Sequence, residues 1–300
     1  MKLALFDSAA GMARLGVVTT GPDGSAEGAS VVDVTGALPW AHDPDPVTAG
    51  WWRALCRDFE LLRPVLEKAV AEGPAVSLGE VSLRAPVLSP SKIVAAASNY
   101  GEHVAEMHGV QERTLGRVEA WMMEFDVFLK APSSIVGPGA AVVLPDEVVA
   151  RGFEVHHESE LVIVIGAGGR DIPLDRAMEH VLGFTAGLDI TVRSPADRSK
   201  RKSYDSFSPL GPWIVTRDEA GDGGDLDILL TSGGQVRQSV NTADLLTPVP
   251  QIVAYASSIM TLNPGDVLFT GAPPGVGPIT AGETLEMTIS RIGAMTVTVT

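Results

Sequence analysis

The sequence predicts a β-rich α+β fold, on three observations. From Lys92 onward, short apolar β-branched runs recur, punctuated by Gly137–Pro138–Gly139, Gly166 to Gly169, Asn263–Pro264–Gly265 and Gly271 to Gly277. Only three longer segments repeat their apolar residues at helical spacing. At 300 residues, with 45% hydrophobic and 20% charged side chains, the chain has the size of about two modules and a globular balance.

In chain order, residues 1–80 read as a small α+β accessory domain and residues 81–300 as a larger β-rich one. Lys2 to Phe6 and Leu15 to Thr19 alternate like paired strands, with a Gly/Asp/Ser-rich turn from Gly21 to Gly28. Trp51 to Ala71 is helical by its Leu55, Phe59, Leu62, Leu66 spacing and is closed by Gly73–Pro74. Residues 80–92, with Pro86 and Pro90, are an extended connector. Two helices are expected among the later strands: Pro173 to Leu182, with Leu174, Ala177, Met178 and Val181 inward, and Val249 to Met260, with Ile252, Val253, Ala256 and Ile259 inward.

Charge narrows the function. The formal net charge is -15, a field that repels phosphate backbones and anionic lipid, so neither nucleic acid nor a membrane surface is an expected partner. An anionic substrate then needs a local cation, which favours a metal. Cys56 stands alone, which excludes an internal disulfide and a cysteine-based zinc cluster; among Trp51, Trp52 and Leu55 it reads as a buried, inert thiol. The N-terminal apolar run is too short for a signal sequence, and no stretch approaches the ~20 apolar residues of a membrane span. The expected location is cytoplasmic.

The segment Glu154-Val-His-His-Glu-Ser-Glu160 runs into the apolar Leu161 to Ile165 and reads as one strand emerging at a rim. Strand alternation puts Glu154, His156, Glu158 and Glu160 on one face. Neighbouring carboxylates at about 7 Å repel unless a cation lies between them, and hard divalent ions take oxygen ligands. The alternative is a solvated strand end. Asp189, in the apolar run Gly187 to Val192, is a third carboxylate needing a partner: a shared metal, Arg193 or backbone hydrogen bonds. His103 and Glu106 share a face on one helical turn, a pairing that orients a histidine as general base; Glu102 and His108 compete for these roles. Gly166 to Gly169 lacks the third glycine of a dinucleotide fingerprint, which falls on Asp171, and reads as a hairpin turn. No nucleophile elbow and no phosphate-binding loop is present.

Together these segments resemble the fumarylacetoacetate hydrolase family. The matching stretches are Lys92 to His103, Pro132 to Gly139, His157 to Gly166, Lys202 to Trp213 and Thr261 to Val267, in family order. The resemblance implies a mixed β-sandwich roll as catalytic domain, a homodimer, and Mg²⁺ or Mn²⁺ as cofactor. It places the metal carboxylates on Glu158, Glu160 and Asp189, and the water-activating dyad on His103 and Glu106 of a lid helix. Substrate contacts fall on Arg193, Lys202, Gly271 and Ala272, with Lys202 also catalytic. It also implies a small anionic keto-acid substrate and cleavage of a C–C bond in a β-diketo acid such as an acylpyruvate.

Two departures bear on substrate identity. Arg193 is followed by Ser194 and Ala196, where family members carry an aspartate and then a glutamine. The Gly-Thr-Pro loop reads Gly271-Ala272-Pro273 and lacks the hydroxyl. Two rival readings share the residues: decarboxylation or tautomerisation of oxaloacetate-type acids, which needs no attacking water, and a non-catalytic metal-dependent binding module. The His103–Glu106 pair speaks for water activation, with His156 or His157 as substitute bases.

Overall fold

The structure, a computed structural model, describes residues 1–7, 12–20, 28–40, 50–104, 106, 109, 112 and 124–300. The apolar run after Glu160 becomes the strand Ser159–Ile165, buried at every residue. Both of its faces are covered, which is why its sequence is continuously apolar and not alternating. It pairs antiparallel with Val181–Leu188 on one side and Val267–Phe269 on the other. Past Val267–Phe269 the sheet adds Ile93–Ala97 in parallel and Asp126–Lys130 antiparallel to that. Past Val181–Leu188 it adds Ser208–Thr216 and then Lys2–Asp7, Ala13–Thr19, Ser30–Asp33 and Ala75–Ser77. The expected pairing of the first two strands is present, with Leu5 opposite Leu15. The start of the chain is thus hydrogen-bonded into the sheet that carries the site, Lys2 and Leu3 lying opposite Val215 and Ile214.

Alternation along the central strand divides the interior into two cores. Leu161, Ile163 and Ile165 point into one, with Phe184, Ile252, Val253 and a second sheet's Ile228, Leu230, Leu285 and Met287. That second sheet has the order Gln235–Asn241, Asp227–Ser232, Thr284–Ile289, Gly293–Val299, Ala141–Val142. Val162 and Val164 point into the other core, with Leu3, Leu5, Leu15 and the inner face of the long helix Gly50–Glu72. That helix buries Trp51, Trp52, Leu55, Cys56, Phe59, Leu62 and Leu66 despite Pro64 in its interior. The lone thiol is buried and free, and burial pushes its pKa up, as an inert cysteine requires. Close strand packing uses a glycine at one telling place: a Cβ on Gly183 would lie 2.2 Å from the Val215 carbonyl oxygen. Among the described residues no helix is long and apolar enough to cross a membrane.

The α+β, sheet-rich class is as expected, and four details differ. Ile259, expected inward, is exposed at the end of the helix Val249–Ile259. The Pro173 to Leu182 helix is a 3₁₀ stretch, Leu174–His180, and Val181 and Leu182 belong to the next strand. The run Val181–Leu188 is fully buried as a strand, whereas the helix buries only Ala177 completely and leaves Leu174 exposed. The glycines at 166–169 do join antiparallel neighbours, but through this 3₁₀ stretch and not through a tight turn. The supposed single strand from Glu154 is broken at Glu158. Val155–His157 pairs with Thr191–Val192 and Gly277–Pro278 in a three-stranded sheet, while Ser159–Ile165 joins the large one. From His156 to Glu160 the charged stretch is therefore buried, and only Glu154 at its start is exposed.

Because Leu3 and Leu5 share a core with Val162 and Val164, Leu5→Ala should lower stability by about 2–5 kcal/mol. Urea unfolding followed by far-UV circular dichroism and by tryptophan fluorescence should shift to the same lower midpoint. Non-coincident transitions would mean that the N-terminal strands melt apart from the central sheet.

Candidate active site

The break at Glu158 assembles the site. In the antiparallel pairing Ser159 lies opposite Leu188 and Glu160 opposite Gly187, so the next residue along, Asp189, comes level with Glu158. The Asp189 N–H donates to the Glu158 carbonyl at 2.8 Å and locks that register. Glu158, Glu160 and Asp189 are all buried, and one ligand oxygen from each lies within 4.8 Å of the others. Three buried carboxylates this close are unstable without compensating charge.

Three cations supply it. Lys202 Nζ bridges two of the acids, donating to Glu158 Oε2 at 2.7 Å and Asp189 Oδ2 at 2.5 Å, with Thr191 Oγ1 at 2.7 Å as third acceptor. Arg193 Nη2 donates to Glu158 Oε1 at 2.6 Å. Lys130 Nζ donates to Asp189 Oδ1 at 2.6 Å and to the Phe207 carbonyl at 2.8 Å. Burial alone would raise the Glu158 pKa, but Lys202 and Arg193 outweigh it and hold the carboxyl well below the usual range. Burial lowers the Lys130 pKa more strongly than Asp189 raises it.

Glu160 is treated differently. Its one hydrogen bond among the described residues comes from the Gly271 N–H to Oε2 at 2.5 Å. Burial, then Asp189 and Glu158, push its pKa well up. A divalent cation is the group that would let all three acids ionise together, and an all-oxygen donor set suits a hard ion such as Mg²⁺ or Mn²⁺. The residues present therefore fit the metal that the sequence implies.

His103 and Glu106 lie near this cluster. Residues 101–104 are helical, His103 is buried, and its Nδ1 lies 3.4 Å from Glu106 Oε2. The charge of His103 also acts on Glu158, so the histidine is within electrostatic reach of the acids. Glu106 accepts a second hydrogen bond from the Gly275 N–H at 3.2 Å. Burial would raise its pKa, and His103 with the Gly275 and Val276 N–H groups lowers it instead. The competing histidines are engaged elsewhere: His156 Nε2 meets the exposed Glu154 at 2.9 Å, and His157 Nδ1 meets Gln238 Oε1 at 3.1 Å. Glu102 is exposed, and His108 lies outside the described residues.

Two contributors escape a reading of the sequence. Lys130 ends an edge strand whose other residues are exposed or half-buried, so pattern alone reads it as another solvated lysine. Gln238 accepts from Ser159 N at 2.9 Å and donates to the Pro273 carbonyl at 2.9 Å, tying the break after Glu158 to the loop beginning at Gly271. Nothing local to Gln238 announces this. Gly271 has φ +104, and a Cβ there would lie 2.7 Å from Asn99 Cβ, so glycine is required. Its N–H is spent on Glu160, and Ala272 beside it is buried.

Comparison with known proteins follows the same lines. Residues 92–300 match the family model described as fumarylacetoacetate (FAA) hydrolase C-terminal. The chain is 38% identical to a maleylpyruvate hydrolase of Aquipseudomonas alcaligenes over 288 residues, 95% of this chain and 96% of that one. It is 38% identical to a human mitochondrial oxaloacetate tautomerase over 213 residues, 69% of this chain and 63% of the relative. Among solved structures, maleylpyruvate hydrolase from Sphingobium sp. SYK-6, in complex with manganese(II) and pyruvate, superposes with a TM-score of 0.82 at 37% identity, covering 100% of this chain and 98% of that one. A 5-carboxymethyl-2-hydroxymuconate delta-isomerase from Mycobacterium smegmatis gives 0.73 at 32% identity, covering 100% and 98%.

Removing one partner of a buried ion pair strands the other charge. Lys130→Met should cost about 3 kcal/mol, the lower part of the usual range because Asp189 keeps Lys202. Denaturant unfolding of the chelator-treated protein measures it, and an unchanged midpoint would show that Lys130 does not stabilise the acid cluster.

Proposed function

This chain belongs to the fumarylacetoacetate hydrolase family, and we propose that it hydrolyses a C–C bond in a β-diketo acid of the acylpyruvate class, with Mg²⁺ or Mn²⁺ as cofactor. The observation that carries this reading is a metal-suited acid cluster bridged by Lys202, with a His–Glu pair within electrostatic reach of it. A likeness to maleylpyruvate hydrolase along almost the whole chain supports it. We further propose residues 81–300 as the catalytic part, residues 1–80 as accessory, and a cytoplasmic homodimer as the working form.

A divalent ion held by Glu158, Glu160 and Asp189 would supply a Lewis acid for the carboxylate and keto oxygens of the 2-oxo acid. The protein's own groups do the rest. Arg193 and Lys202 present fixed positive charge to the anionic end, and Gly271 and Ala272 close the wall behind it. His103 takes a proton from water, and the hydroxide oxygen adds to the distal carbonyl carbon. Glu106 holds the ring in place and stabilises the imidazolium. The bond from that carbon to the methylene then breaks, its electron pair passing to the pyruvate enolate. Lys202 offsets the charge of the enolate until it takes up a proton, leaving pyruvate and a carboxylic acid. The burial of His103 limits bulk water at this point.

A second reading, tautomerisation or decarboxylation of oxaloacetate-type acids, is favoured by the tautomerase likeness and by Lys202. The two differ in their need for water. Chelation should abolish turnover, and Mg²⁺ or Mn²⁺ should restore it. His103→Ala should cut kcat on acetylpyruvate by about 10²–10⁴ while leaving metal affinity unchanged, since His103 is not a ligand. Lys202→Met should damage both chemistries because both pass through an enolate. Product analysis with acetylpyruvate and with oxaloacetate, wild type against the two variants, decides the matter; full activity of the metal-free protein would end the metal-dependent reading. Light scattering should return twice 31.4 kDa, and a monomer mass at micromolar concentration would refute the dimer.

A further inference from the structure

One amide side chain stands between the acid cluster and the helical stretch of His103. The strand Ile93–Ala97 is followed by Ser98, whose φ of 58° lies in the left-handed region, a costly setting for a residue with a Cβ. This bend delivers Asn99, fully buried, two residues before the helical stretch 101–104. Its Nδ2 donates to the Thr270 carbonyl at 2.7 Å and to the Thr247 carbonyl at 3.0 Å. Its Oδ1 accepts from the Thr247 N–H at 2.6 Å. Two carbonyls and one N–H admit only one orientation of the amide. The Thr270 carbonyl belongs to the same peptide unit as the Gly271 N–H, and that N–H donates to Glu160 Oε2. On its near side the Thr270 N–H and hydroxyl both donate to the Leu161 carbonyl, at 3.1 and 3.0 Å, which ties the unit to the strand of Glu160.

We propose that Asn99 is a positioning residue that holds Glu160 and His103 at a fixed offset, through a relay of Asn99 amide, Thr270–Gly271 peptide and Glu160 carboxylate. It rests on the reading of Glu160 as a metal ligand and of His103 as the base. Donation to a peptide carbonyl strengthens the hydrogen bond made by the N–H of the same peptide, because the two polarise one another. Glu160 depends on this more than its neighbours do, since Gly271 is its one donor among the described residues. Outer partners of this kind decide how a ligating carboxylate is aimed. At the other end, Asn99 fixes the chain from which the helical stretch starts. The Leu246 N–H donates to the Asn99 carbonyl at 2.9 Å, and the Val104 N–H donates to the Tyr100 carbonyl at 2.9 Å. His103 lies within that turn, and its partner Glu106 accepts from the Gly275 N–H, so Asn99 and Glu106 each meet the same loop. Coupling of this sort is reciprocal: the helical stretch should be steadied when Glu160 ligates an ion.

The test compares wild type with Asn99→Ala, each stripped by chelation and then titrated calorimetrically with Mn²⁺. Asn99→Ala should weaken Mn²⁺ about 5- to 10-fold, the equilibrium factor of roughly one hydrogen bond. Hydrogen exchange read by mass spectrometry should show Mn²⁺ slowing exchange in peptides covering residues 97–104 of the wild type and not of the variant. At saturating Mn²⁺ the variant should lose about 10-fold in kcat on acetylpyruvate with KM within about 2-fold, because an offset and not a substrate contact is lost. Should Asn99→Ala not fold, exchange in the wild type decides: protection by Mn²⁺ at Gly271 without protection at 97–104 would overturn the relay. A lower unfolding midpoint with Mn²⁺ affinity, protection and kcat all intact would make Asn99 a support only and would overturn it too. Failure of the wild type to bind Mn²⁺ would reject the metal reading and the relay with it. Mn²⁺ affinity and protection that both depend on Asn99, without any hydrolysis of acetylpyruvate, would keep the relay and reject the hydrolase reading.

Discussion

The Lys202 ammonium between Glu158 and Asp189 is the contact on which the rest of this site depends. It lies 2.7 Å from one carboxylate and 2.5 Å from the other, in a place buried from solvent. Without a bridging cation the two acids would be forced apart or protonated, and the strand break at Glu158 would lose its purpose. Burial is expensive for each ion, so only a nearly complete set of partners makes the arrangement stable. Lys130 and Arg193 complete the set for Asp189 and Glu158, and Glu160 is left with a backbone N–H. The asymmetry is informative, because two acids are already neutralised by the protein and the third is not.

Sequence pattern made the acids and the dyad legible for simple reasons. Glu158 and Glu160 keep the period of two across the break because Ser159 remains extended, and Asp189 stands out as a charge in an apolar run. His103 and Glu106 are three apart, a spacing local to one helical turn. What stayed hidden was non-local. Lys130 reaches Asp189 from the edge strand, and Gln238 reaches Ser159 and Pro273 from the second sheet, 79 and 35 residues away respectively. Period and composition carry no information about such distances. The break itself was missed because Val155 to Ile165 reads as one extended run, and only the sheet assignment shows the chain passing between two sheets.

The departures at Ser194, Ala196 and Ala272 fall beside the charged cluster and not within it. None of the three belongs to the acid–ammonium network. Ser194 and Ala196 line a small crevice beside the helix Arg198–Lys202, and Ala272 is buried next to Gly271. A change of this kind alters which acyl group fits while leaving the machinery that handles the 2-oxo acid end in place. Fold and site chemistry are therefore those of an enzyme acting on a keto acid, and they do not single out one substrate.

The loop from Gly271 to Gly277 binds these parts together. At its start the Gly271 N–H holds Glu160, and at Gly275 another N–H holds Glu106. One short stretch of backbone thus grips both a metal-suited carboxylate and the acid that orients His103. Gln238 pins the middle of the same stretch through the Pro273 and Pro274 carbonyls. Displacement of the loop would move the His103–Glu106 pair and the acid cluster in concert, so their relative geometry is preserved. For hydrolysis that relation is what matters: the proton acceptor must meet water at a fixed offset from the carbonyl it attacks, and that offset is set by where the 2-oxo acid end is held. A tautomerase has no such demand on an attacking water, so a shared support for both ends is a constraint that hydrolysis, more than enolisation, accounts for.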